Sequence, residues 1–72
     1  MTSIDDAISS IQQVQNDFAI LTQYLQSYQS GQSNGMPIDK TVLKTTIQTL
    51  GTKIVTDLQT VKSNVQNAVS GL

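Results

Sequence analysis

Apolar residues recur every seven positions through the first half of this chain. Two such sets run side by side over four heptads without a gap: Ile4, Ile11, Phe18 and Leu25, and Ala7, Val14, Leu21 and Tyr28. Because a seven-residue repeat keeps its members on one side of an α-helix, the pattern predicts a helix over residues 3–30. Ile8, Ile20 and Tyr24 lie beside the two sets and widen the apolar face beyond the width that one partner helix covers.

The apolar residues of the second half follow a different period, of eleven positions. They form three sets: Leu43, Ile54 and Val65; Ile47, Leu58 and Val69; and Leu50, Val61 and Leu72. Eleven residues span three helical turns, which gives a straight or slightly right-handed stripe and predicts a second helix over residues 38–70. Since the two helices require different supercoils, they cannot form a long regular coiled coil alone, and we expect other subunits to complete the packing.

Residues that break helices cluster between these two patterns. Gly31 and the pair Asn34-Gly35 favour positive φ, and Pro37 cannot continue an incoming helix. A loop is therefore predicted over residues 31–37.

Together these patterns predict a single all-α domain over residues 1–72, an antiparallel hairpin of two helices. A chain of 72 residues usually needs a disulfide, a bound metal or a partner subunit to stabilise its small core. The sequence has no cysteine and no histidine, so oligomerisation remains as the means of stabilisation. The hairpin is therefore predicted to be oligomeric or to form filaments.

Charge is sparse in this sequence. Gln, Ser, Thr and Asn make up 31 of the 72 residues, whereas the charged residues are five Asp and four Lys, with a net charge of −1. Low net charge leaves little repulsion between copies of the chain, so the composition is typical of surfaces that neighbours cover. Folding the chain about Asn34 would bring Asp17 close to Lys53 and Asp6 close to Lys62.

The residues that chemistry would need are missing. There is no histidine to activate the many Ser and Thr hydroxyls, and the pair Asp5-Asp6 is explained by its place at a helix start. Four Lys without Arg do not make a nucleic-acid surface, and no apolar stretch is long enough to span a bilayer. We therefore expect no enzyme activity, no cofactor, no metal, no nucleic-acid partner and no transmembrane segment. We also expect no cleavable signal peptide, because the amino-terminal residues show no basic region followed by an apolar run.

The candidate functional residues are consequently packing residues. The predicted helix-packing interface comprises Ile4, Ile11, Phe18, Leu25, Val14, Leu21, Tyr28, Leu43, Ile47, Leu50, Ile54, Leu58, Val61, Val65 and Val69. A stripe opposite the apolar side of the second helix comprises Thr45, Thr49, Thr52, Thr56 and Thr60. This stripe is either a solvated face or a surface that lines a lumen or contacts another subunit.

Two segments of the second half resemble a known family. These are Met36-Pro37-Ile38-Asp39, followed by Val42-Leu43, Ile47-Gln48 and Leu50, and the carboxyl-terminal run from Val65 to Leu72. They resemble the Pro-containing loop, the start of the second helix and the apolar end of type III secretion needle and pilus subunits. The resemblance implies a structural subunit that polymerises into a hollow filament for protein export, secreted or at the cell surface. Its implied partners are copies of itself and a chaperone or the secretion machinery.

Other functions remain open from the sequence. A small coiled-coil adaptor, a secretion chaperone or an inhibitor that binds a partner protein would use the same apolar faces, and it would be cytoplasmic. A phage-encoded inhibitor of a host protein belongs to this class. A membrane-active amphipathic peptide would carry Lys on its polar face, and the first helix has none.

Overall fold

Two long antiparallel helices joined by a tight turn make up the protein. The computed structural model describes residues 2–72, with helix α1 at Ser3–Ser30, the two-residue strands β1 at Gln32–Ser33 and β2 at Met36–Pro37, and helix α2 at Lys40–Ser70. Helix α1 packs along α2 over most of its length in a rod of 51 × 19 × 16 Å. The predicted all-α helical hairpin is thereby confirmed.

Side chains and one glycine define the two ends of α1. The Thr2 hydroxyl accepts a hydrogen bond from the Asp5 backbone N–H, and the Asp5 carboxylate accepts one from the Thr2 N–H. This capping box satisfies two amide groups that the helix itself cannot pair. At the other end Gly31 adopts φ 76°, and its N–H donates to the Ser27 carbonyl. A residue without Cβ takes this left-handed conformation at little cost.

The segment predicted as a loop is a small β-hairpin. Asn34 and Gly35 both adopt positive φ, at 52° and 78°, and β1 pairs with β2 in antiparallel orientation. Two consecutive residues of this kind turn the chain in the sense that matches strand twist. Helix α2 then begins at Lys40, two residues later than predicted, because the Asp39 carboxylate caps it by accepting from the Thr41 and Val42 amides at 3.0 and 3.2 Å.

The residues that each helix turns towards the other form what we call the inner seam. On α1 it comprises Ala7, Ser10, Val14, Asp17, Leu21 and Tyr24, and on α2 it comprises Leu43, Ile47, Leu50, Ile54, Asp57, Val61, Asn64 and Ala68. All are buried or half-buried, and the spacing alternates between three and four residues in both helices. The side of α2 that faces α1 therefore follows the heptad of a coiled coil, and not the eleven-residue period of its apolar residues.

A polar cluster lies in the middle of the inner seam. Asp17 is 2% exposed, and its carboxylate accepts from the Lys53 Nζ at 3.0 and 3.2 Å and from the Gln13 amide at 3.0 Å. Lys53 also donates to Asp57, at 2.6 Å. The predicted proximity of Asp17 and Lys53 is confirmed. Charge in a seam is costly when it loses its partner, so this cluster favours one alignment of the helices.

A second contact fixes the same alignment near the open end of the hairpin. The Asn64 side chain donates to the backbone carbonyl of Asp6 at 3.3 Å, so Asp6 meets Asn64 and not the predicted Lys62. Both this contact and the Asp17–Lys53 pair place residue 15 of α1 level with residue 55 of α2. The antiparallel register is thus set at two points that lie eleven residues apart on each helix.

Hydrogen bonding shifts the ionisation of this cluster in opposite directions for its acid and its base. The pKa of the Asp17 carboxyl lies below its ordinary value, because its interactions with Asp57, Lys53 and Gln13 outweigh the effect of burial. The pKa of the Lys53 ammonium lies above its ordinary value, because Asp57 and then Asp17 accept hydrogen bonds from its charged form. Both shifts mean that the charged forms stabilise the folded hairpin.

This linkage predicts a loss of stability at both extremes of pH. The Asp17 contribution is present above about pH 4 and is lost as the pH falls through the lowered pKa of the folded state. The Lys53 contribution is present below about pH 10.4 and is lost as the pH rises through the raised pKa. Asp17→Asn keeps a hydrogen-bond acceptor but cannot titrate. We expect its midpoint of thermal unfolding to fall less between about pH 7 and about pH 2.5 than that of the parent. Equal losses, measured by circular dichroism, would contradict the assignment.

Candidate interaction surface

A second row of side chains runs along each helix, beside the inner seam. On α1 it comprises Ile4, Ile8, Ile11, Gln15, Phe18, Thr22 and Leu25, and on α2 it comprises Gln48, Gly51, Val55, Leu58, Lys62, Val65 and Val69. We call the two rows together the outer face. Its members also alternate at three- and four-residue spacing, so each row is itself a heptad seam.

The rotation of the α-helix explains where this face lies. Apart from Ile4, each member follows an inner-seam residue by one position, as Phe18 follows Asp17 and Val55 follows Ile54. One step along the chain turns by about 100° around the helix axis. The turn is clockwise on α1 and, because α2 runs the other way, anticlockwise on α2 when both are viewed from the same end. Both rows therefore point to the same side of the hairpin.

The outer face exposes large apolar side chains to solvent. Nine of them, five Ile, Phe or Leu on α1 and four Val or Leu on α2, are each 38 to 62% exposed. At roughly 150 to 200 Å² for a fully exposed side chain of this kind, they present on the order of 800 Å² of apolar surface. The largest apolar patch on a typical monomer is about 300–600 Å². The outer face is therefore larger than the apolar patch expected on a soluble monomer.

The inner seam, by contrast, buries little. Among residues 2–72 the buried apolar side chains are Ala7, Val14 and Ile54. The chain exposes 5276 Å² in all, whereas a compact monomer of its mass exposes about 4,400 Å². The hairpin thus hides less surface than a globular protein of the same size, and most of its strongest apolar residues remain outside.

The predicted packing residues divide between these two surfaces. Those that lie between the helices, buried or half-buried, are Val14, Leu21, Leu43, Ile47, Leu50, Ile54 and Val61. Those exposed on the outer face are Ile4, Ile11, Phe18, Leu25, Leu58, Val65 and Val69. Tyr28 is 38% exposed, with its ring 5.3 Å from the Lys40 Nζ near the turn. The role of the exposed group as an interface stays a prediction.

The threonine stripe is exposed along its whole length on α2. The hydroxyls of Thr45, Thr52, Thr56 and Thr60 each donate to the backbone carbonyl four residues earlier, at 3.2–3.3 Å. Because these donors are satisfied within the helix, the stripe presents methyl groups and weakly polar oxygens rather than free donors. Thr45 and Thr49 also line a shallow groove with Ile20, Tyr24 and Leu50 on the side opposite the outer face.

Sequence reasoning missed three polar members of the inner seam and one apolar member of the outer face. Ser10, Asp57 and Asn64 sit at seam positions although their side chains are polar, and Val55 lies outside the apolar repeats. Ile8 belongs to the widened apolar face that the sequence predicts. The available signal was the alternating three- and four-residue spacing, which appears only when polar residues are allowed to occupy seam positions.

The structure offers no metal-binding cluster in residues 2–72. In that part of the chain no three carboxylates come together at a spacing that could hold a metal ion. Neither α1 nor α2 contains a stretch long and apolar enough to cross a bilayer.

Comparisons with known proteins do not identify a relative. A scan against protein-family models, a search of curated proteins and a search of solved structures each give no match. The resemblance to type III secretion subunits therefore rests on the sequence motifs alone.

Proposed function

We propose that this protein is a non-enzymatic structural subunit that associates with other copies of itself through the outer face. The observation that carries the proposal is the continuous apolar surface along one side of both helices. A chain that kept this side in water would leave its largest side chains without the burial that stabilises a small protein. Association supplies that burial.

The size of the outer face suits a specific interface. Stable protein–protein contacts bury about 800 Å² on each partner, and the apolar side chains of the outer face alone present an area of this order. The face carries one charged residue, Lys62, and a net charge of −1 per chain adds little repulsion between copies. Both features favour association of like chains.

Filament growth is the form of assembly that the type III resemblance implies. Open-ended growth needs a second contact surface in addition to the outer face. The threonine stripe supports this role, because it is exposed along its length and the hydroxyls of four of its five residues donate within α2. In such a filament the stripe contacts a neighbouring subunit or lines a lumen, and the protein serves as part of an export conduit.

Charge on the threonine stripe is predicted to stop filament growth. In Thr52→Lys/Thr56→Lys, two ammonium groups replace two hydroxyls that need no outside partner. Lysine favours helix at least as well as threonine, so the helicity measured by circular dichroism should be unchanged. We expect fibres of the parent, counted by negative-stain electron microscopy, to be absent from the variant. Normal fibres would show that the stripe is solvated.

A second candidate function uses the same surface for a different partner. A heptad-spaced apolar face accepts an amphipathic helix of another protein, as an adaptor or a secretion chaperone would. The observation that favours it is that each row of the outer face has seam spacing by itself. In this case the purified chain stays monomeric and forms a complex of fixed stoichiometry only with its partner.

Sedimentation velocity tests the proposal, with the purified protein at concentrations from about 5 to about 500 µM. We expect the weight-average sedimentation coefficient to rise with concentration, with a midpoint in the micromolar range or below. A monomer throughout this range overturns self-association and leaves the adaptor function. Negative-stain images of the concentrated sample then report the form of assembly, since fibres support the filament and discrete particles exclude it.

A further inference from the structure

We infer that the outer face binds a second copy of this chain about a two-fold axis, with α1 antiparallel to α1 and α2 antiparallel to α2. This inference rests on the proposed self-association and adds the arrangement of the copies. The product is a four-helix bundle of two hairpins, stacked outer face to outer face. It is a closed dimer that a filament could use as its building block.

The angle between the two seams of each helix favours a bundle. The outer row is rotated from the inner seam by about one residue step, or about 100°. A helix at the corner of a square bundle touches its two neighbours at nearly this angle, whereas a flat array of helices requires seams on opposite sides. Each helix therefore packs against the other helix of its own hairpin through one seam and against a helix of the second copy through the other.

One level of the hairpin contains a member of both rows. Gln15 is the middle one of the seven members on α1, and Val55 is the third of the seven members on α2. The Asp17–Lys53 and Asp6–Asn64 contacts make residues 15 and 55 level with each other. A single two-fold axis perpendicular to the helices can thus pass between Gln15 and its copy and between Val55 and its copy, while Val65 and Val69 extend beyond the paired part of α2.

This axis pairs like with like on α1. Gln15 meets Gln15 of the second copy, and an amide side chain can both donate to and accept from another amide. Ile11 meets Phe18 of the second copy, Ile4 meets Leu25 and Ile8 meets Thr22, so that apolar side chains cover most of the contact on both sides of the central amides. The glutamine pair acts as a polar pair in a coiled-coil seam does, by favouring one register.

The same axis also gives a role to the one glycine inside α2. Val55 meets its own copy, and Leu58 lies against Gly51 of the second copy. A Cβ at Gly51 would meet no atom of the hairpin within 4 Å, so packing within the hairpin does not require glycine there. Glycine weakens a helix interior by about 1 kcal/mol relative to alanine, and a large side chain from a second copy is a reason for the open space.

A two-fold axis parallel to the helices is the competing arrangement, and it matches the face poorly. It would place α1 over α2 of the second copy, with Ile8 against Lys62 and Gln15 against Val55. The ammonium group of Lys62 and the amide of Gln15 would then face apolar side chains, which costs desolvation without a hydrogen bond in return. In the inferred arrangement Lys62 meets Gln48, and the two Lys62 lie about 20 Å apart, beyond the range of strong repulsion.

Disulfide trapping at the axis tests the inference, because the natural chain has no cysteine. Gln15→Cys places a thiol beside its own copy, and a disulfide requires this close approach of the two Cβ atoms. Asn16→Cys is the matched control, since it is exposed and adjacent in sequence but points about 100° away from Gln15. We expect Gln15→Cys to form covalent dimers at least ~10-fold faster under mild oxidation.

The outcomes separate the inference from the proposed function. Fast, selective trapping of Gln15→Cys, in a sample that sediments as a dimer when reduced, supports the inferred axis. Equal trapping of both variants in a sample that still self-associates overturns the axis and leaves self-association intact. In that case a Gln15→Cys/Val55→Cys variant reports the competing arrangement by linking α1 to α2 of the second copy. A monomer in every sample overturns both.

Discussion

Replacing Ile54 by alanine is expected to remove most of the stability of the hairpin. Ile54 is 6% exposed and is the one buried apolar side chain of α2 among the described residues. Truncation of a buried isoleucine to alanine costs about 2–5 kcal/mol, and a core of this size supplies only about 3–5 kcal/mol. The midpoint of thermal unfolding should fall by about 12–24 °C for a loss near 3 kcal/mol.

A matched control for this variant is Val42→Ala. Val42 is 61% exposed and lies in neither the inner seam nor the outer face, and alanine favours helix slightly more than valine does. Its midpoint should therefore stay within a few degrees of the parent. Both variants are best compared by circular dichroism at a concentration where the parent is monomeric, since association would add stability. Similar midpoints for the two variants would contradict the assignment of the core.

The double variant Ile11→Gln/Phe18→Gln is expected to abolish association while keeping the hairpin folded. Both side chains are exposed in the hairpin, at 40 and 47%, so their loss opens no cavity in the inner seam. In a two-fold contact each change occurs twice, and each buried apolar side chain contributes about 1.5–3 kcal/mol. Because each side chain is a little under half exposed before association, the dissociation constant from sedimentation should rise by at least ~100-fold.

The control for the outer face is Val42→Gln, which makes the same kind of change at an exposed residue off that face. It should associate as the parent does. Unchanged self-association of Ile11→Gln/Phe18→Gln would mean that copies meet through some other surface. Equal weakening by both variants would point to a general effect of surface polarity rather than to a defined interface.

The distribution of side chains between the two surfaces has a physical consequence for stability. The inner seam contains Asp17 and Asp57, which Lys53 bridges from its edge, whereas the outer face of α1 carries isoleucine, phenylalanine and leucine. Packing within the hairpin thus contributes more to the choice of one helix alignment than to the free energy of folding. Folding and association are expected to be coupled, because nine large apolar side chains are exposed on the outer face whereas three apolar residues of the described chain are buried between the helices.

Local sequence determined the two helices and the place where the chain reverses. The heptad repeat predicted α1 with the bounds that the structure has, and the breakers between Gly31 and Pro37 marked the reversal of the chain. These features depend on interactions between residues a few positions apart, which a sequence displays directly. The proximity of Asp17 and Lys53 also followed from sequence, since the position of the turn fixes which residues of two antiparallel helices lie side by side.

Only the tertiary structure decided which seam of each helix faces the other helix. Two heptad seams lie side by side on α1, and the more apolar one is left outside because the polar cluster and the Asn64 contact hold the less apolar seam together. The eleven-residue period of α2 has the same origin. Each step of eleven turns by a little more than three full helical turns, so the stripe drifts from the inner seam to the outer face: Leu43 and Ile54 lie inside while Val65 lies outside. The periodicity of a sequence shows where apolar residues recur along a helix, whereas their burial depends on which neighbouring surface each residue packs against.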